Sequence, residues 1–468
     1  MWKNVLICLL AASLAASLIL RWRDRVNDTP PAPLQTALGE ALARALGDTE
    51  AGGMALGLCV QDEAGNTIFG REARRAFIPA SSLKTLTTAT ALELLGPDFH
   101  FQTRLLSAAP MAEGVIEGDL ILRGGGDPML SLADLSKCAA ELQARGLREV
   151  RGRVLGDGGF FTGSIYGDFW NWGDIGNGYG SPVSGLNLEH NRYTAVFAPA
   201  LQEGGPAAFV GAQPEVPGIT WLSEVRTGPE GGGDGVMIHG GERAQRVHLR
   251  GTVPAGQPQF RVAGAVPAPE LFAAHHLRAA LMQAGIRVAG GAASAREAAP
   301  MPEAGHEMWR HESPALADIV TSIHATSDNH ETECVFRMIG AREKRPPAEV
   351  VRAHWQTRGL TFEGLRMEDG CGLARADHIT PHDLARLQML AATGPQGRVY
   401  ADSLLAAHDG AVRYKGGAMS GVRSVAGLVT RPDGSRAAFA LMVNHFGNPR
   451  PYALLREAML RALADVSD

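Results

Sequence analysis

"FIPASSLKTLTTATALELLG", residues 77–96, governs how the rest of the chain is read: Ser81 and Lys84 stand three positions apart at the head of an apolar helix, just after Pro79. Leu83, Leu86, Ala89, Ala91, Leu92, Leu94 and Leu95 run nearly all the way round that helix, which places it inside a core rather than on a surface. Gly96-Pro97 supplies its stop. A cation at the head of such a helix needs a reason. A serine hydroxyl is a poor nucleophile at its ordinary pKa and needs a base, and a lysine at i+3 shares its face of the helix. If burial keeps that amine neutral, it can take the serine's proton, while free backbone N–H groups at the helix start point at any developing oxyanion. Alone, S-x-x-K recurs by chance, and an N-cap serine beside a surface lysine explains it as simply.

On the N-terminal side, "GMALGLCVQDEAGNTIFG" predicts a hairpin turning around Asp62 to Asn66, preceded by a helical "ALGEALARALGD" and a proline-marked linker. From about 105 to 305 the character changes to glycine-rich strands with short helices. Within it, "LQARGLREVRG" (142–152) and "LMQAGIRVAGG" (281–291) look alike, as if one small α/β unit were used twice. Helical pattern returns after 306, and the chain closes with the strands "VRYKGGAM", "SVAGLVT" and "AAFALMVNHF" and a last helix. The expectation is one discontinuous α/β domain, 35–104 and 306–468, carrying an insertion at 105–305. With 45% hydrophobic and 20% charged residues the composition is globular, and a net charge of −5 with interspersed signs excludes nucleic acid as a partner. Residues 1–26 place Lys3 before an apolar run and Arg21, Arg23 and Arg25 after it, an export signal or an uncleaved anchor, and the only route to a membrane that the sequence offers. Cys59, Cys138, Cys334 and Cys371 read as buried thiols, with two disulfides as the alternative.

Two further elements change the weight of Ser81 and Lys84. "TSDNHETE" sets Ser327, Asp328 and Asn329 between two helical stretches, where a hydroxyl and an amide can project together into a cleft. "RYKGGAMSG" puts Lys415 on a strand followed by Gly416 and Gly417, so that backbone can approach a ligand closely. S-x-x-K, S-x-N and a lysine-glycine strand, in that order, form the signature of penicillin-recognising serine enzymes. The 246 positions between Ser81 and Ser327, together with "LILRGGGDPML", "FWNWGDIGNGYGSPVSGLNLEHNR", "EDGCGLAR" and "SGVRSVAGLV", make the resemblance specific. From about residue 35 onward the chain resembles the low-molecular-weight class C penicillin-binding proteins, the D-alanyl-D-alanine carboxypeptidase/endopeptidase family of bacterial cell walls.

That resemblance implies an α/β (α+β) transpeptidase domain of the β-lactamase-like type, a five-stranded antiparallel sheet flanked by helices, and a two-lobed α/β insertion. It implies Ser81 as the acylated nucleophile, Lys84 as its base, Ser327 and Asn329 as proton relay and substrate holder, and Lys415 as the carboxylate-binding cation. Asp328, Gly416, Gly417 and Ala418 would border the substrate, with the N–H groups of Ser81 and Ala418 as the oxyanion hole. Asp127 and the aromatic-rich "WNWGDIGNGYG" are weaker candidates, since bulky aromatics usually serve a core. The partners implied are peptidoglycan stem peptides and their cross-links, with β-lactams as covalent inhibitors, in the periplasm and without a cofactor.

Two departures stand out. Gly416 replaces the hydroxyl residue of the family's K-T-G, and Cys371 replaces the serine of D-G-S-G-L. A lost hydrogen bond to a charged group costs roughly 1.5–3 kcal/mol, so a weakened carboxypeptidase acting better on cross-links is the expectation. The alternatives are an inactive peptidoglycan-binding protein, or another serine-lysine amidase or esterase on the same scaffold. Metal catalysis is disfavoured: His330 with Glu333, and His378 with His382, form no complete ligand set and read as surface histidines.

Overall fold

The computed structural model describes residues 33–47, 53–297 and 305–465, so the expected signal or anchor at 1–26 lies outside the described residues. Strands Ala55–Asp62 and Thr67–Arg71 form the expected hairpin, with Asn66 donating through its backbone and its side chain to the Asp62 carboxylate at 2.8 Å each. Ala55–Asp62 also pairs along its whole length with Arg436–Asn444. This register joins the two ends of the chain in one sheet. The order is Leu405–Ala407, Val412–Met419, Val422–Thr430, Arg436–Asn444, Ala55–Asp62, Thr67–Arg71, with every neighbour antiparallel. Six strands therefore stand where five were expected, because a three-residue edge strand pairs with the start of the lysine-bearing one.

Arg436–Asn444 shows why the sheet sits between two helical layers. Its continuous apolar run sends successive side chains to opposite faces. Ala438, Ala440 and Met442 join the core around the helix Lys84–Leu94, whereas Phe439, Leu441 and Val443 pack with Leu34, Leu38, Leu455 and Met459 of the helices Pro33–Leu46 and Arg450–Asp465. The central helix is buried from Lys84 to Leu92, as its all-round apolar pattern predicted. Its four threonines can be buried because each hydroxyl is satisfied: Thr85, Thr88 and Thr90 donate to carbonyls of the preceding turn, and Thr87 donates to Gly370 O at 2.7 Å.

The chain leaves this body after the helix and builds a second, mixed five-stranded sheet in the order Ala292–Ser294, Val154–Asp157, Leu120–Gly124, Gln102–Ser107, His306–Glu312. Gln102–Ser107 and His306–Glu312 pair with each other, so position 105 falls inside the first of these strands and 305 just before the second. The two look-alike stretches meet. The helices Leu132–Ala144 and Pro269–Gln283 end at Gly146 and Gly285, with φ of 90° and 83°, and the strands that follow, Glu149–Val150 and Arg287–Val288, pair in parallel. Two further three-stranded sheets span residues 192–265. Cys59, Cys138, Cys334 and Cys371 are all buried and free, so the disulfide alternative falls. Among the described residues no helix is long and apolar enough to cross a membrane.

Candidate active site

Ser81 lies in the single 3-10 turn Ala80–Leu83 that leads straight into the central helix. The residue before it, Ala80, is held in the left-handed region at φ 47°, an arrangement that persists only where the surroundings enforce it. They do: Gly372, itself at φ 81°, lies so close that a Cβ there would be 2.0 Å from the Ala80 carbonyl oxygen. The "EDGCGLAR" segment is pressed onto the serine turn because the Asp369 carboxylate collects the N–H groups of Cys371, Gly372 and Ala374 and the indole of Trp170. Cys371 belongs to a small buried cluster with Tyr166, Trp170 and Leu373, holds its thiol within 4.8 Å of the Glu333 and Asp369 carboxylates, and offers its carbonyl to Lys84.

Lys84 is fully buried. Its Nζ is 3.0 Å from Ser81 Oγ, 2.6 Å from Asn329 Oδ1 and 2.7 Å from the Cys371 carbonyl. No carboxylate forms an ion pair with it among the described residues. Burial therefore pushes the amine below its ordinary pKa, against the pull of more distant negative groups. A neutral amine has two N–H bonds and one lone pair. With those two N–H bonds given to the amide and the carbonyl, the lone pair of the neutral form would face the serine hydroxyl, whereas the charged form donates to it.

Ser327 caps the helix Leu316–Thr326 in the left-handed conformation, φ 61° and ψ 31°, so the chain turns sharply into Asn329–Glu343. That turn aims Ser327 Oγ at Lys415, whose Nζ donates to it at 2.9 Å and to the Gly416 carbonyl at 2.9 Å. Burial and the nearby Lys84 push Lys415 down to about 7. Asn329 Nδ2 donates to the Tyr179 carbonyl at 2.9 Å. Ser81, Lys84 and Asn329 thus form one hydrogen-bonded set and Ser327 with Lys415 a second, and Ser81, Asn329, Ser327 and Lys415 border the same cleft.

Asp328 does not join them, and the expectation that it borders the substrate is corrected. Its carboxylate turns into the protein, accepting from Arg192 Nη1 at 2.6 Å and capping the next helix at the Glu331 N–H at 2.9 Å. Burial would raise its pKa, but Arg192 outweighs that and holds it well below the carboxylate range. Arg192, from the insertion, also donates to the Gly178 carbonyl at 2.7 Å, so it ties the Ser327–Asn329 turn to the Tyr179 segment.

Gly416, Gly417 and Ala418 line the cleft edge beside Ser81. At Gly417 a Cβ would stand 2.4 Å from Ser424 Oγ and 2.7 Å from the Ser81 nitrogen. Gly417→Ala is therefore expected to push the strand off the serine turn and slow benzylpenicillin acylation by at least about a hundredfold, as measured by stopped-flow or intact mass, with melting little changed.

The cleft has a volume of about 940 Å³. One wall comes from the insertion, through Asn171, Asp174 and Tyr179, which the core reading of the aromatic segment missed. Trp170 is buried as expected, but Trp172 is 67% exposed and Tyr179 donates to Asp174 Oδ1 at 3.0 Å at the cleft. Three polar residues among the glycines of "NWGDIGNGYG" were the available signal. Arg375, too, lines the cleft without having been foreseen. Asp127 lies outside the cleft, buried with its Oδ1 accepting from the Met129 N–H. His330 is fully buried rather than at the surface, and His378 and His382 are partly buried.

A family model described as the D-Ala-D-Ala carboxypeptidase 3 (S13) family matches residues 38–465. A D-alanyl-D-alanine carboxypeptidase of an Actinomadura species is 29% identical over 463 residues, 92% of this chain and 85% of that protein. D-alanyl-D-alanine carboxypeptidase DacB of Haemophilus influenzae is 25% identical, over 79% of this chain and 81% of that protein. In fold, the crystal structure of penicillin binding protein 4 from Haemophilus influenzae matches with a TM-score of 0.80 at 22% identity, covering 92% of this chain and 99% of that one. The same protein complexed with a β-lactam gives 0.73 at 20% identity, over 91% and 99%. With the family model matching residues 38–465, the chain belongs to the D-Ala-D-Ala carboxypeptidase 3 family of serine peptidases.

Proposed function

We propose that the chain is an exported serine-type D-Ala-D-Ala carboxypeptidase and endopeptidase that works on peptidoglycan stem peptides through an acyl-enzyme on Ser81. The observation that carries this reading is the buried Lys84 Nζ, 3.0 Å from Ser81 Oγ with its other two contacts on an amide and a carbonyl oxygen. Ser81 Oγ attacks the carbonyl of the penultimate D-alanine while its proton passes to Lys84 Nζ. The N–H groups of Ser81 and Ala418 receive the oxyanion. Ser327, bonded to Lys415, carries a proton to the departing amine, and D-alanine or a cross-linked stem leaves. Water then releases the acyl group by the same steps in reverse order. β-Lactams enter the same path and stop at the acyl stage. The basic-flanked apolar run at 1–26 supports a periplasmic location, either free after cleavage or held by that segment.

An open cleft of about 940 Å³ with a wall from the insertion accommodates a peptide rather than a small amide, which sets this reading above an amidase or esterase. The test is release of D-alanine from a pentapeptide stem ending in D-Ala-D-Ala, beside cleavage of a D-Ala cross-linked dimer, by the purified body. Turnover of either that benzylpenicillin blocks is expected. Turnover of neither, with no penicillin adduct, would leave a binding protein.

A further inference from the structure

The strand Val412–Met419 carries its chemistry on one face and almost none on the other. Lys415 and Gly417 are buried toward Ser81, while Tyr414, Gly416 and Ala418 alternate to the opposite side, partly or fully exposed. A Cβ on Gly416 would find nothing nearer than the Ser424 carbonyl oxygen at 3.8 Å. The strand thus offers no hydroxyl next to Lys415, and the open space lets the cleft run past it to the helix Arg450–Asp465, whose Tyr452, Ala453 and Arg456 line its far end.

Arg456 is placed for an anion that the structure does not supply. Its guanidinium lies over the Tyr414 ring at 5.4 Å from the centroid, on the strand face that also carries Gly416. Its Nε is buried and has no hydrogen-bond partner, and no carboxylate pairs with it among the described residues. A buried N–H left unmade is costly, and a guanidinium matches a carboxylate in shape and charge. The other two arginines of the cleft are engaged. Arg375 donates to the Ser420 carbonyl at 2.9 Å, while Arg423 donates to the carbonyls of Met419 and Val422 and lies over Phe446. The helix is anchored to the catalytic strands, since the Tyr452 hydroxyl donates to the carbonyl of Ser424, the residue paired with Gly417.

We propose that Arg456, reaching over Tyr414 into the space that Gly416 leaves open, binds the carboxylate ending the substrate and sets a preference for a free C-terminus over a blocked one. This rests on the peptidase reading above.

The test compares KM and kcat for a peptide ending in D-Ala-D-Ala with the same peptide amidated at its C-terminus, in wild type, Arg456→Gln, Arg456→Lys and Arg456→Gln combined with Gly416→Thr. Wild type is expected to favour the free acid. Arg456→Gln should raise KM for the acid by tenfold or more while leaving the amide within twofold. Lysine should retain part of the preference, and Gly416→Thr should restore part of it in the glutamine background. If wild type handles acid and amide alike, or if Arg456→Gln shifts both equally or neither, the proposal is overturned. Should Arg456→Gln melt early, the lysine variant and the wild-type acid-to-amide ratio still decide. Saturating benzylpenicillin on each sample separates the two claims. A wild type that is acylated yet indifferent to the carboxylate loses only Arg456, whereas one neither acylated nor hydrolytic loses the peptidase reading itself.

Discussion

Ser81→Ala should abolish release of D-alanine, lowering turnover by at least about 10⁴-fold, while the variant keeps its fold. The expectation follows from where Ser81 sits. Its side chain is partly exposed at the cleft, and the turn that holds it is fixed by other groups: the left-handed Ala80, the Gly372 contact, and Ser82, whose hydroxyl donates to the Pro79 carbonyl at 2.8 Å. Removing one oxygen from Ser81 leaves all of these in place. What disappears is the atom that forms the acyl bond, and no neighbouring hydroxyl takes over, because Ser327 Oγ is bonded to Lys415 rather than to Lys84. Residual hydrolysis within tenfold of wild type, measured by D-alanine release from the stem pentapeptide, would mean that another group is the nucleophile.

Lys84→Met carries the second large effect. A methionine fills nearly the same buried volume without a proton acceptor, so acylation by benzylpenicillin should slow by roughly 10²–10⁴-fold while binding before acylation changes little. The loss should fall on the acylation rate constant rather than on the preceding equilibrium. In wild type the same rate should decline as the pH falls and the amine is protonated. Since burial sets the amine below its ordinary value near 10.5, that acid limb must lie below pH 10.5. Lys84→Met should lose the limb along with the rate. An acylation rate unchanged in Lys84→Met would transfer the base role elsewhere, with Lys415, pushed down to about 7, as the next group to test.

The residues proposed for this centre stand out in the sequence because each sits at a place where local rules are strong. Ser81 and Lys84 share a helical turn, Lys415 precedes two glycines on a strand, and Ser327 and Asn329 lie at a helix-to-helix turn. Their convergence follows from long-range pairing: Lys84 meets Asn329 across 245 positions, and the Cys371 carbonyl across 287. The sequence could propose that meeting only through the ordered resemblance. Asp328 went astray for a physical reason. A residue flanked by two site residues was given their direction, whereas helix geometry sends it backward to cap its own helix and to meet Arg192. The Tyr179 wall was hidden because an exposed aromatic and a buried one look alike in composition, as Trp172 and Trp170 show two residues apart. The sixth strand, Leu405–Ala407, was missed because three residues carry too little periodicity to be recognised. The sheet's two-faced burial, by contrast, could be read from the unbroken apolar run of its last strand.

Intact-mass analysis of the wild-type body after incubation with benzylpenicillin, followed by peptide mapping of the product, tests the central claim most directly. One acyl adduct per chain, mapped to the peptide that contains Ser81, is the predicted result. No adduct at millimolar drug, or an adduct mapped to any other residue, would contradict it.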